Sequence, residues 1–193
     1  MDDNALILIV VIAILIIMSA YFSATETAFS SLNKIKLKNL AVNGSKRAES
    51  TLNLAKKFDS ILSTILIGNN IVNIASASIA TIVFTKYYGD AGVTISTIVM
   101  TIVVLIFGEI SPKSLSKESP EKFAMFSTPI LKVLLIIFTP LNFVFGLWKK
   151  TISKVIKVEE IPIEVEEELL TIVEEAEIKG GIDEHESKLI RSA

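Results

Sequence analysis

Apolar residues along this chain gather into long blocks separated by short polar connections, rather than alternating with polar positions. Ala5 to Met18 is unbroken apolar sequence, and carried on through Phe22 it makes 18 residues, about 27 Å as a helix against a hydrocarbon core of about 30 Å. A second stretch runs from Ile61 to Phe84, interrupted by Gly68-Asn69-Asn70 and Asn73. The third runs from Ala91 to Phe107 and ends at Gly108-Glu109. These blocks predict spanning helices over about 5–30, 60–84 and 91–109, with a short turn at Lys86 to Gly89 between the last two. The residues ahead of the first block, Asp2-Asp3-Asn4, are acidic where a signal peptide would be basic, so the helix is expected to be retained.

The connections orient the spans. Residues 33–58 carry Lys34, Lys36, Lys38, Lys46, Arg47, Lys56 and Lys57 and break at Asn43-Gly44-Ser45, which predicts a hairpin of two short amphipathic helices. Seven basic residues in a short loop mark the cytoplasmic side. Counting spans from there returns Lys113, Lys117 and Lys122 to the same side. A fourth apolar stretch, Phe123 to Trp148, contains Pro129, Lys132, Pro140 and Asn142 and leads into Lys149, Lys150, Lys154 and Lys157. If it crossed, that basic cluster would lie outside. A kinked belt over 118–150, lying along or dipping into the cytoplasmic leaflet, is therefore favoured over a fourth crossing. The expected topology has its N-terminus outside and its C-terminus in the cytoplasm of a plasma or inner membrane.

Beyond Val158 the sequence becomes Glu-rich, with Val165, Leu169, Ile172, Val173 and Ala176 on one helical face and Gly180-Gly181 as a stop. Asp183 caps a second expected helix, inside which the chain ends, so a truncated soluble part is expected to follow. Composition agrees with this division. The chain is 51% hydrophobic with a mean hydropathy of +0.58, and its net charge of −2 conceals a split. Twelve acids against three bases give residues 159–193 a charge of −9, leaving +7 on residues 1–158. The fold class is thus an all-α membrane protein: three transmembrane helices, a kinked juxtamembrane belt helix and an acidic cytoplasmic helical bundle.

Polar residues inside the spans carry the chemistry, because an ionisable group at the bilayer centre costs at least about 2.5–3.5 kcal/mol on insertion scales. On the first span Ser19, Ser23, Glu26 and Ser30 share one helical face. The serines alone read as readily as packing positions, and Glu26 near the helix end as a solvated carboxylate. On the second, Asn69, Asn70 and Asn73 follow Gly68, with Ser76 one turn beyond Asn73. The third cluster is Gly108-Glu109-Ile110-Ser111-Pro112-Lys113. Pro112 has no N–H and is expected to break the helix, freeing backbone carbonyls beside Glu109 as in the ion sites of transporters. The plainer alternative pairs Glu109 with Lys113 as a helix-end salt bridge.

Together these clusters offer hydroxyl, amide, carboxylate and carbonyl oxygens. The chain has no cysteine, and its single histidine, His185, stands in the acidic tail. An all-oxygen set suits Mg2+, Ca2+ or Na+ rather than zinc, copper or iron. Without a His-Glu-x-x-His motif, a membrane aspartate pair or an evident base for the serines, no enzymatic activity is expected. No nucleic-acid partner is expected either.

Ser19-Ala-Tyr-Phe-Ser-Ala-Thr-Glu-Thr-Ala28, Gly68-Asn-Asn-Ile-Val-Asn73 and Gly108-Glu-Ile-Ser-Pro-Lys113 resemble, in order, three signature segments of the CorC/CNNM magnesium transporter family. The resemblance implies a dimer exporting Mg2+ in exchange for Na+, with metal ligands at Ser19, Ser23, Asn69 and Glu109 and the Gly108 carbonyl nearby. Glu26, Asn70, Asn73, Pro112 and Lys113 are supporting candidates. Mg-ATP would act only through the CBS domains that follow this region in the family. A membrane-anchored Mg2+ sensor that binds the ion without moving it is the alternative. The spans carry small residues such as Ala75, Ala77, Ser78 and Ala80, which would permit the close helix packing of a homodimer.

Overall fold

A computed structural model describes residues 3–155, and every described element is helical. Helix α1 (Asp3–Ser30) leads into the hairpin α2 (Lys34–Val42) and α3 (Lys46–Ala55). Asn33 and Ser45 cap the two short helices with their side-chain oxygens, accepting from the Lys36 and Ala48 amides. Gly44, at φ +90°, makes the turn between them. Helix α4 (Phe58–Tyr88) and helix α5 (Ala91–Val103) meet at Gly89-Asp90, so the turn falls after the expected Lys86–Gly89 and Lys86 lies in the last turn of α4. The acidic segment 159–193, with its expected helical bundle and His185, lies outside the described residues.

Three helices are long and apolar enough to cross a membrane: Asn4–Ser30, Phe58–Tyr88 and Ala91–Glu118. Their outward faces carry large apolar residues such as Ile7, Ile17, Ile74, Ile82, Ile98 and Phe107, all exposed as they would be to lipid tails. The third crossing corrects one expectation. Pro112 does not break it: α5 passes through a π-helical turn, Val104–Ile110, into α6 (Ser111–Glu118). The Ser111 amide reaches back five residues to the Ile106 carbonyl. Widening the ladder by one residue lets the proline, which has no N–H, enter at the start of a fresh α-helical register.

Helix α7 (Pro120–Ile137) and helix α8 (Thr139–Val155) form the expected kinked segment, bent by 69° between Ile137 and Thr139. The bend sits beside Pro140, while Pro129 is carried inside α7. Helix α7 packs against α1, α3 and α4 through its buried face of Ala124, Ser127, Thr128 and Leu131. Hydrogen bonds tie it there: Thr51 to Thr128 at 2.7 Å, and Thr25 Oγ1 to Ser127 Oγ at 3.1 Å. Asn142, past the bend, donates to Thr64 Oγ1 of α4 at 2.8 Å.

Candidate functional site

Helix α1 packs against α4 at a glycine. A Cβ on Gly68 would lie 2.4 Å from the Phe22 ring, so only glycine lets that ring lie against α4. One helical turn from Phe22, the Ser19 hydroxyl donates to Asn69 Oδ1 at 3.0 Å. Asn73 Nδ2 also donates to Asn69 Oδ1, at 3.4 Å, while Ser76 Oγ turns to the Asn73 carbonyl. The π-helical turn closes the third side: a Cβ on Gly108 would stand 2.9 Å from Ser19 Oγ. Side chains or backbone from all three crossings therefore meet around Ser19.

Two oxygens in this region are left without partners. Ser23, fully buried one turn from Ser19, has no hydrogen bond at Oγ, and buried Asn73 Oδ1 has none among the described residues. An orphaned buried hydroxyl or amide costs about 1–3 kcal/mol, so such atoms need a reason. Glu109 follows Gly108 in the π-helical turn and is half-buried. It forms no ion pair among the described residues, because Lys113 bonds instead to Glu26 across the α1–α6 contact at 3.2 Å. The alternative of a Glu109–Lys113 helix-end bridge is thereby corrected: Lys113 is held by a carboxylate of another helix.

Among the candidates, Ser19, Asn69, Asn73 and Gly108 are brought into direct contact, with Ser23 beside them and Glu109 next in chain to Gly108. Asn70 is not: it is exposed and its Nδ2 donates to the Leu66 carbonyl of its own helix. Ser30 is exposed at the end of α1. Pro112 acts through the backbone register. Among the described residues no three acidic or histidine side chains come together. The arrangement is thus a set of neutral oxygens, with the one nearby acidic residue, Glu109, next in chain to Gly108; oxygens of this kind suit a hard cation.

Polar ties from α7 escaped the sequence reading. Tyr21 OH donates to the Ser127 carbonyl at 3.3 Å, linking the belt to the helix that carries Ser19 and Ser23, and within that helix Thr25 donates to the Tyr21 carbonyl at 2.6 Å. Lys36 of the hairpin bonds Glu121 at the start of α7 at 2.9 Å. Glu121 is buried, which by itself raises its pKa, but the Lys36 hydrogen bond and charge and nearby backbone amides outweigh that and hold it below the usual carboxylate range. The spacing of single serines and threonines carries no signal for such contacts.

Three apolar crossings around a polar, partly unsatisfied cluster define a multi-pass helical membrane protein with an intramembrane polar site. The chain belongs to the CNNM family: the model of the cyclin M transmembrane N-terminal domain matches residues 10–186. It is 39% identical over 186 residues to a UPF0053 protein of Haemophilus influenzae, covering 95% of this chain and 44% of that protein. It is also 39% identical over 162 residues to the UPF0053 inner membrane protein YfjD of Escherichia coli, covering 82% of this chain and 38% of that one. A polyamine export protein of Salmonella typhimurium is more distant, 24% identical over 199 residues, with 95% of this chain and 44% of that protein covered. The chain thus spans about two fifths of the length of these curated relatives.

Proposed function

We propose that this chain is the membrane part of a Mg2+ transporter that exports Mg2+ in exchange for entering Na+. The observation that carries the reading is the cluster of Ser19, Ser23, Asn69, Asn73 and Gly108 between three crossings, with Ser23 Oγ and Asn73 Oδ1 unsatisfied and Glu109 free of any described ion pair. The 3.0 Å hydrogen bond between Ser19 Oγ and Asn69 Oδ1 is also compatible with the two oxygens sharing an ion. Two ligands at about 2.1 Å on adjacent corners of an octahedron stand about 3 Å apart, the geometry Mg2+ demands. Rotating the Ser19 hydrogen away would let both oxygens face one ion. Glu109 supplies the carboxylate, directly or through water, and the Gly108 carbonyl is adjacent.

Transport follows the alternating-access logic of other intramembrane sites: the ion enters from the cytoplasm and leaves outside when the crossings rock about it. The N-terminus lies outside and the described C-terminal helix inside, with the α2–α3 hairpin cytoplasmic and α7–α8 lying along the inner leaflet. The working unit is a homodimer; Ala77 and Ser78 remain exposed on α4, whereas Ala80 is spent inside the protomer. Na+ is the coupling ion, and Mg-ATP acts only through further domains. A polyamine is a poorer fit, since its spaced ammonium groups need separated acceptors, whereas the groups in contact here are neutral oxygens and amides close to one another.

Equilibrium binding tests the reading. Mg2+ should bind the purified protein and should be lost in Glu109→Gln, while Asn70→Ala binds as the parent does. Equal binding by the parent and Glu109→Gln would refute it.

A further inference from the structure

A second concentration of uncompensated charge lies at the junction of α3 and α7. Lys46 and Arg47 open α3, Ser50 stands one turn on, and Lys132 reaches over from α7 to place its Nζ 2.6 Å from Ser50 Oγ. Lys46, Ser50 and Lys132 line two adjoining clefts of about 550 and 600 Å3. Among the described residues none of Lys46, Arg47 or Lys132 is paired with a carboxylate, although Glu49 lines the second cleft. Three cations close together, none ion-paired and with only Glu49 of opposite sign lining the second cleft, repel one another and attract a negative group.

The walls of the first cleft specify what kind of anion fits. Met125, Phe126, Pro129 and Ile130 line it beside the three cations. Phe126 and Ile130 continue onto the outward face of α7, where Val133 and Ile136 are also exposed. Apolar walls give nothing to a free phosphate or a nucleotide, whereas basic heads beside an apolar strip match an amphiphile. Lys132 stands between the exposed apolar residues Ile130, Val133 and Ile136 of α7, so its long side chain can carry the ammonium beyond that apolar strip.

We propose that the α3–α7 groove is a binding site for an anionic phospholipid, with its phosphate at Lys46, Arg47 and Lys132 and an acyl chain along Phe126 and Ile130. The lipid bridges the cytoplasmic hairpin and the belt, adding to the Thr51–Thr128 bond a link that depends on membrane composition. The inference is independent of what occupies the site between the crossings.

Native mass spectrometry of the purified protein titrated with phosphatidylglycerol, with phosphatidylcholine of the same chains, and with inorganic phosphate tests it. Phosphatidylglycerol should be retained in preference to phosphatidylcholine, and millimolar phosphate should fail to displace it. Each basic residue near an anionic headgroup contributes roughly fivefold, so Lys46→Gln with Lys132→Gln should weaken retention roughly twenty-five-fold. Lys34→Gln with Lys38→Gln, an equal change of charge on α2, should leave it unaltered. Lys132→Arg keeps the charge and the reach to Ser50 and should hold the lipid. Equal retention of both lipids, equal loss in the two double variants, loss in Lys132→Arg as full as in Lys132→Gln, or displacement by phosphate would each overturn the proposal.

Discussion

Replacing Ser23 by alanine should change stability in opposite directions with and without Mg2+. The hydroxyl is fully buried and bonded to nothing among the described residues, so in ion-free buffer the protein bears its desolvation cost of about 1–3 kcal/mol. Alanine removes that cost while losing a single small atom, and ion-free stability should rise by about 1 kcal/mol. With Mg2+ at a hundred times its dissociation constant, binding adds about 2.7 kcal/mol to the parent. A tenfold loss of affinity from the missing ligand cuts that increment to about 1.4 kcal/mol at the same concentration. Thermal unfolding in detergent, followed by circular dichroism with chelator or with Mg2+, reads both quantities. Ser19→Ala is the control, because it breaks the 3.0 Å bond to Asn69 and should lower ion-free stability. A fall in ion-free stability for Ser23→Ala, or an undiminished Mg2+ increment, would refute the assignment of this hydroxyl as a ligand.

Gly108→Ala places a methyl 2.9 Å from Ser19 Oγ, so it should cost about 1–3 kcal/mol of thermal stability and at least tenfold in Mg2+ affinity by calorimetry. Glu26→Gln frees Lys113, which lies four residues beyond Glu109 and can swing to it; the half-buried Glu26–Lys113 pair itself, still open to solvent, is worth about 1 kcal/mol. Stability should therefore hardly change while Mg2+ affinity drops severalfold, and adding Lys113→Gln should restore it. Glu121, with its pKa depressed by Lys36, contributes stability above the ordinary glutamate value of about 4.3, and this is lost as pH falls through its lower folded value. Unfolding midpoints between pH 6 and pH 3 should accordingly fall less in Lys36→Met than in the parent.

The three crossings were legible because each is a continuous apolar block, and the hairpin because Asn33, Ser45 and Gly44 are local signals. Pro112 was misread for a physical reason: sequence reveals the missing donor, but whether the ladder breaks or widens into a π turn depends on what α5 and α6 pack against. The same holds for Pro129, which α7 absorbs while the chain bends beside Pro140. Lys113 had a carboxylate four residues away and took one on another helix, a choice made by tertiary packing. The convergence of Ser19 with Asn69 and Gly108 was implied by the family resemblance, yet the unsatisfied state of Ser23 and Asn73 and the Thr25–Ser127 and Thr51–Thr128 ties to the belt are visible only once the helices are assembled.

The central claim is that this cluster carries Mg2+ across the membrane. Flux of Mg2+ from loaded proteoliposomes, with and without an opposing Na+ gradient, tests it most directly when the protein is compared with its Glu109→Ala variant. The account predicts Na+-dependent Mg2+ flux that disappears in the variant. Flux of equal size in Glu109→Ala, or Mg2+ binding by the parent with no flux under either gradient, would contradict it, the latter marking a membrane sensor instead.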